Sequence, residues 1–306
     1  MSSKIQTIPF NFGGIPRDQA SWENARVVFL SVPYDLTTSY LPGSRRGPLA
    51  ILEASTHMEL YDEELGFETA RIGLHTLDPI EALSSGPEEM IRQISAYAEP
   101  VLEAEKFPVL LGGEHSVTLG LAFELKKKYP RLSFLQLDAH ADLRSDFEGT
   151  PYSHACVARR LAEQGPLVQV GIRSLSLEES VYLKNSPVRS YPWHALSDQP
   201  GWEEEAIDHL SPEVYVTIDL DVLDPAIMPA TGTPEPGGFD WRTLTRFLRK
   251  VARNRKVVGF DVVELAPIPG WVAPDFLAAK LIYRFLGEIF GDSLRRGGKS
   301  SSSKEK

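Results

Sequence analysis

Asp138-Ala139-His140-Ala141-Asp142 and Asp219-Leu220-Asp221 place five metal-ligand side chains at alternate positions. Residues two apart in extended backbone face the same way, so each stretch would present its ligands on one side. Upstream, Gly112-Gly113-Glu114-His115-Ser116 follows the apolar run Val109-Leu110-Leu111 and adds His115 as a sixth candidate. Four carboxylates and two imidazoles exceed what one ion normally takes from a protein. Two divalent cations would balance the four negative charges and leave room for a bridging hydroxide. Metal binding lowers the pKa of water from about 15.7 to about 7, which makes a nucleophile at neutral pH. The pattern therefore reads as a binuclear hydrolase. The plainer reading is that aspartates near strand ends cap turns and helices. Carboxylates gathered at the mouth of a buried sheet, however, are costly unless a cation is present.

The elements that must position these residues form an α/β alternation, the pattern of a parallel sheet. Strands are expected at 26–32, 107–111, 132–137, 167–172, 214–218 and 257–262. Helices are expected at 47–61, 88–106, 117–128, 153–163, 241–253 and 274–290. The second helix shows an apolar stripe at Ile91, Ile94, Ala98, Val101 and Leu102. Almost every candidate functional residue falls at the C-terminal end of an expected strand, where open α/β sheets bind ligands. Residues 1–25 read as an extended N-terminal arm, 26–292 as a single domain, and the Ser/Lys/Gly-rich 293–306 as a disordered tail.

The chain has 306 residues, 42% hydrophobic and 24% charged, ordinary for a globular protein. Its single cysteine, Cys156, excludes an internal disulfide framework and suits a reducing compartment. No apolar run has the length of a signal-peptide core or of a membrane span, so the cytoplasm is the expected location and no membrane partner is expected. A formal net charge of −10 argues against nucleic acid as a partner and is compatible with a small cationic substrate.

Taken together, GGEHS at 112–116, DAHAD at 138–142, SHA at 153–155, IDLDVLDP at 218–225, ATGTPEPGG at 230–238 and DVVEL at 261–265 resemble the arginase/agmatinase (ureohydrolase) family. The resemblance covers about residues 26–290. It implies a three-layer α/β/α arginase-like fold around a central, mostly parallel sheet, and two Mn²⁺ ions per subunit. It implies His115, Asp138, His140, Asp142, Asp219 and Asp221 as the metal ligands. Carboxylate-rich sites also favour hard ions on general grounds, although imidazole suits Zn²⁺, Fe²⁺ and Co²⁺ too. By the same resemblance His154 is the catalytic proton shuttle, Glu264 holds the substrate guanidinium, and Thr233 lies near it in the substrate pocket. Read alone, His154 is as well explained by a helix start, Glu264 by a capping carboxylate and Thr233 by a turn.

The implied activity is hydrolysis of a guanidino group to urea and an amine by a metal-bridging hydroxide. The segments 31–38 and 43–48 look like agmatinases, and the arginase groups for a zwitterionic head are absent. Agmatine is therefore the expected substrate and putrescine the product, a step of polyamine biosynthesis. The alternatives are a 4-guanidinobutyrase, favoured if Arg144 receives a carboxylate, an aminopropyl-agmatine ureohydrolase or an arginase. A deacetylase or formimino-hydrolase on a similar fold, and a catalytically silent regulatory subunit, are further readings. The resemblance also implies a homo-oligomer, a trimer or hexamer.

Overall fold

Strand β1 (Val27–Val32) is buried along its whole length, as a strand covered on both faces must be. The computed structural model describes residues 10–196 and 198–301. After β1 come the short antiparallel pair β2 (Tyr61–Asp62) and β3 (Phe67–Glu68), then β4 (Leu74–Thr76) and β5 (Phe107–Gly112). They are followed by β6 (Ser133–Leu137), β7 (Leu167–Val170), β8 (Arg189–Tyr191), β9 (Glu213–Asp219) and β10 (Lys256–Val263). Eight of these form one sheet in the order β4-β1-β5-β10-β9-β6-β7-β8, every neighbouring pair parallel.

The helices are α1 (Gly47–Ser55), α2 (Pro87–Glu103), α3 (Thr118–Lys128), α4 (Val157–Gln164), α5 (Leu177–Asn185), α6 (Trp193–Leu196), α7 (Trp202–Asp208), α8 (Trp241–Asn254) and α9 (Ala273–Ser301). Alternation along β1 divides them into two layers. Val27 and Phe29 join the cluster containing Ile51 of α1, Leu244 and Phe247 of α8, and Leu281 of α9. Val28, Leu30 and Val32 join Ile94 of α2, Leu121 of α3 and Leu161 of α4 on the other face. In α8 the buried residues are Leu244, Phe247, Leu248 and Val251, a helical stripe, and Asp240 caps its start by accepting the Thr243 N–H at 2.7 Å. The expected three-layer α/β/α fold is the observed one.

The differences have local causes. The edge strands β4 and β8 are three residues each and show no usable alternation. Helix α5 buries only Glu179, so it carries no apolar stripe, and a capping box between Ser176 and Glu179 starts it instead. Helix α1 stops at Ser55 rather than 61, because Tyr61 enters the β2/β3 pair. The arm expected over 1–25 is, from residue 10 onward, packed on the domain. Phe12 and Ile15 are buried, and the Phe12 ring stacks on Phe29 at 4.3 Å; residues 1–9 lie outside the described residues. The tail expected to be disordered over 293–306 is helical to Ser301, as an extension of α9, and 302–306 lie outside the described residues. Extending a formed helix adds one hydrogen bond per residue without a new nucleus, which composition alone does not register.

Candidate metal centre

The four middle strands of the sheet, β5, β10, β9 and β6, all end at the same place. His115 follows β5, Asp138, His140 and Asp142 follow β6, Asp219 ends β9 with Asp221 just beyond, and Glu264 follows β10. Apart from Asp219, the last residue of β9, these residues lie beyond the strands. His115 opens one 3-10 turn and Asp221 lies within another, and Asp142 and Glu264 have positive φ values of 51° and 66°. A side chain other than glycine pays for that backbone, and such strain gathers at functional sites. The loops are stitched by backbone bonds: the Gly113 N–H donates to Val32 O (2.9 Å), and the Glu264 N–H to Gly113 O (2.7 Å). A Cβ at Gly113 would lie 2.0 Å from Tyr34 O, so only glycine lets these loops meet.

All six expected ligands converge. His115 Nδ1 lies 3.1 Å from Asp138 Oδ2, 3.1 Å from Asp142 Oδ2 and 3.4 Å from Asp219 Oδ2. His140 Nδ1 lies 2.8 Å from Asp221 Oδ2 and 3.7 Å from Asp138 Oδ1. Two groups that could each hold a metal ion emerge, His115/Asp138/Asp219 and Asp138/His140/Asp221, which share Asp138.

The donors fit cations. His115 Nδ1 is buried and makes no hydrogen bond, although three carboxylates surround it. Its Nε2 faces Thr217 Oγ1 at 2.9 Å, and that hydroxyl donates to Asp261 Oδ1 at 2.7 Å. Thr217 has one proton and gives it to the carboxylate, so Nε2 carries the imidazole proton and Nδ1 keeps its lone pair for a metal. Tyr215 takes the other Asp261 oxygen. Asp261 thus orients a candidate ligand.

Without a cation the cluster takes up protons. Burial, with Asp221 and Asp138 alongside, pushes Asp219 well above the carboxylate range. Burial and Asp138 raise Asp142 to about 7. Burial and Glu114 raise Glu264 to about 8. Such mutual destabilisation is what divalent cations relieve.

A cleft of about 280 Å³ opens over the cluster, lined by His115, His140, Asp142, Asp219 and Asp221 and also by His154, Glu264, Thr233 and Arg144. Glu264 Oε1 accepts the His115 backbone N–H at 2.6 Å, which leaves Oε2 open. Thr233 is exposed at the cleft wall. Burial lowers His154 to about 4, so its imidazole is neutral at pH 7. Arg144 stacks over Phe147 at 4.9 Å and has no carboxylate partner among the described residues.

A family model described as the arginase family matches residues 25–287. The chain belongs to the arginase family. A relative from Synechocystis sp., named N(1)-aminopropylagmatine ureohydrolase, is 37% identical over 284 residues, covering 90% of this chain and 92% of its own. One of the same name from Thermus thermophilus is 41% identical over 269 residues, covering 88% and 92%. The solved agmatine ureohydrolase of Thermoplasma volcanium superposes with a TM-score of 0.82 at 32% identity, covering 90% of this chain and 93% of its own. This chain is a ureohydrolase of that family, an enzyme acting on guanidino groups.

Three contributors to the ureohydrolase site escape a reading of its sequence. Glu114, next to His115 in the chain but outside the expected ligand set, is fully buried and accepts from the Thr37 N–H at Oε2 (2.6 Å) and from the Thr37 hydroxyl at Oε1 (2.7 Å). Thr37 is distant in sequence and gives no signal. Arg173 ties together the loops after β9 by donating to the carbonyls of Asp221 (2.6 Å) and Glu235 (3.1 Å).

Proposed function

We propose that this ureohydrolase cleaves the guanidino group of a polyamine-type substrate, N(1)-aminopropylagmatine ahead of agmatine, releasing urea and the corresponding amine. The observation that carries the reading is that five of the six candidate ligands line one cleft with Glu264 and His154, and that the sixth, buried Asp138, lies against two of those five, His115 and His140. The order of the two substrates follows the names of the relatives reported above, and agmatine, the substrate expected from sequence, stands second. A cationic tail is supported by Asp146 and Glu178, both exposed, held near each other by Ser145 Oγ at 3.2 and 3.4 Å, and next in the chain to the cleft-lining Phe147 and Glu179.

We assign two Mn²⁺ ions to His115, Asp138, His140, Asp142, Asp219 and Asp221, as the oxygen-rich donor set suits hard ions. When bound, they would supply water of lowered pKa and positive charge opposite the developing anion. Glu264 receives the substrate's guanidinium on its open Oε2, where a planar cation meets a carboxylate. The arriving cation favours the charged carboxylate that burial disfavours. His154, neutral before reaction, takes up a proton and passes it to the departing amine. Thr233 bounds the substrate side of the cleft.

Arg144 favours a second reading, a substrate bearing a carboxylate such as 4-guanidinobutyrate, because its guanidinium lines the cleft without an acidic partner. A urea-release assay on N(1)-aminopropylagmatine, agmatine, 4-guanidinobutyrate and arginine decides between them. The expected order of kcat/KM is the order given. 4-Guanidinobutyrate turning over fastest would transfer the assignment to the second reading, and no urea from any of the four would discard both. We further propose a cytoplasmic homo-oligomer, a trimer or hexamer. Exposed Tyr40, Leu41, Trp271 and Val272 are apolar surface available for such contact, and no described helix is long and apolar enough to cross a membrane.

A further inference from the structure

We propose that Glu114, acting through the Thr37 hydroxyl, is a positioning residue that decides which nitrogen of His154 carries its proton. The inference rests on the reading of His154 as the proton carrier.

Glu114 is sealed from solvent, and every partner it has is a donor: the Thr37 N–H at 2.6 Å, the Thr37 hydroxyl at 2.7 Å, and the Ser116 hydroxyl. Thr37 has a single hydroxyl proton, and its bond to Glu114 Oε1 uses it. The Thr37 oxygen is then left with lone pairs alone. Two groups of His154 face them: its backbone N–H at 3.0 Å and its Nδ1 at 3.2 Å. Nδ1 must therefore be the protonated nitrogen, with Ser153 Oγ at 3.3 Å as a second acceptor. Nε2 keeps its lone pair on the side of Ser39, whose Oγ is 3.4 Å away and which lines the cleft. The buried carboxylate thus sets the direction in which a proton can be taken from the cleft and returned to it. The same Thr37 contact ties the loop after β1 to the 3-10 turn His154–Cys156.

The test uses the full chain loaded with Mn²⁺, comparing Thr37→Val, Thr37→Ser and His154→Ala for kcat, KM, bound metal and the pH profile of kcat on the best substrate of the panel. Thr37→Val keeps the shape and removes the acceptor. Its kcat should fall about tenfold to a hundredfold, the usual effect of losing an orienting partner, with KM and metal content unchanged. Thr37→Ser should restore kcat, and the acid limb of the profile should move only in Thr37→Val. Independently, ¹⁵N resonances of His154 in wild-type enzyme loaded with diamagnetic Zn²⁺ should show the Nδ1–H tautomer. A wild-type Nε2–H tautomer overturns the proposal, even if no variant folds. So does a Thr37→Ser as slow as Thr37→Val, or a Thr37→Val that loses metal. Full activity in Thr37→Val with a slow His154→Ala overturns the positioning role alone. Full activity in His154→Ala removes the proton carrier on which it rests.

Discussion

Asp138 approaches His115 through one carboxylate oxygen, at 3.1 Å, and His140 through the other, at 3.7 Å. Removing it takes a ligand from both groups at once, so Asp138→Ala is expected to lose bound Mn²⁺ and turnover together. Near wild-type metal content by elemental analysis would show that the two groups do not share it. Thr217→Val tests a subtler dependence. The variant leaves His115 in place but frees its Nε2 from Thr217 Oγ1, so metal affinity should weaken by about tenfold to a hundredfold. A titration giving unchanged affinity would mean that packing alone aims the ring. Sequence exposes the ligands themselves because their types recur at short, regular spacing. It hides Thr37, Thr217 and Arg173, whose roles arise from hydrogen bonds across 77, 102 and 48 positions. Nothing local distinguishes those residues from ordinary ones.

Elements were legible wherever burial imposes a period. The fully buried β1 and the Leu244–Val251 stripe of α8 announce themselves, whereas β4, β8 and α5 bury too little to do so. Turn geometry was the other gap. The alternation in Asp138-Ala139-His140-Ala141-Asp142 suggested a strand, but β6 ends at Leu137 and Asp142 turns to a φ of 51°. The convergence survives because the tertiary contacts of three loops place the ligands, not the pleat of one strand. At the N-terminus an aromatic residue turns an apparent arm into part of the core. Phe12→Ala should therefore cost about 3–5 kcal/mol, the usual range for an emptied aromatic site. Denaturant unfolding checks this, and a loss below about 1 kcal/mol would return residues 10–25 to a loosely held arm.

At the scale of the whole molecule, the unpaired charge of the cluster ties stability to pH. A carboxyl whose pKa is higher folded than unfolded favours the folded chain while it is protonated. That contribution is complete below the unfolded value of about 4 and is lost as pH rises through the folded one. The folded values are about 7 for Asp142 and about 8 for Glu264, and Asp219 moves in the same direction. Chelator-treated enzyme should thus lose thermal stability from pH 5 to pH 8, and Mn²⁺ should flatten that dependence by replacing the protons. Parallel Tm–pH curves with and without metal would break the link between the cluster and stability.

The ligands span residues 115 to 221, on loops that follow three different strands. Such a set comes together only after the middle of the sheet has closed, late on the path from the unfolded chain. A cation that binds there strengthens contacts absent from the folding transition state, so it slows unfolding and leaves the rate of folding unchanged. Metal supply would then govern how long each copy of the enzyme lasts, not how readily it is made.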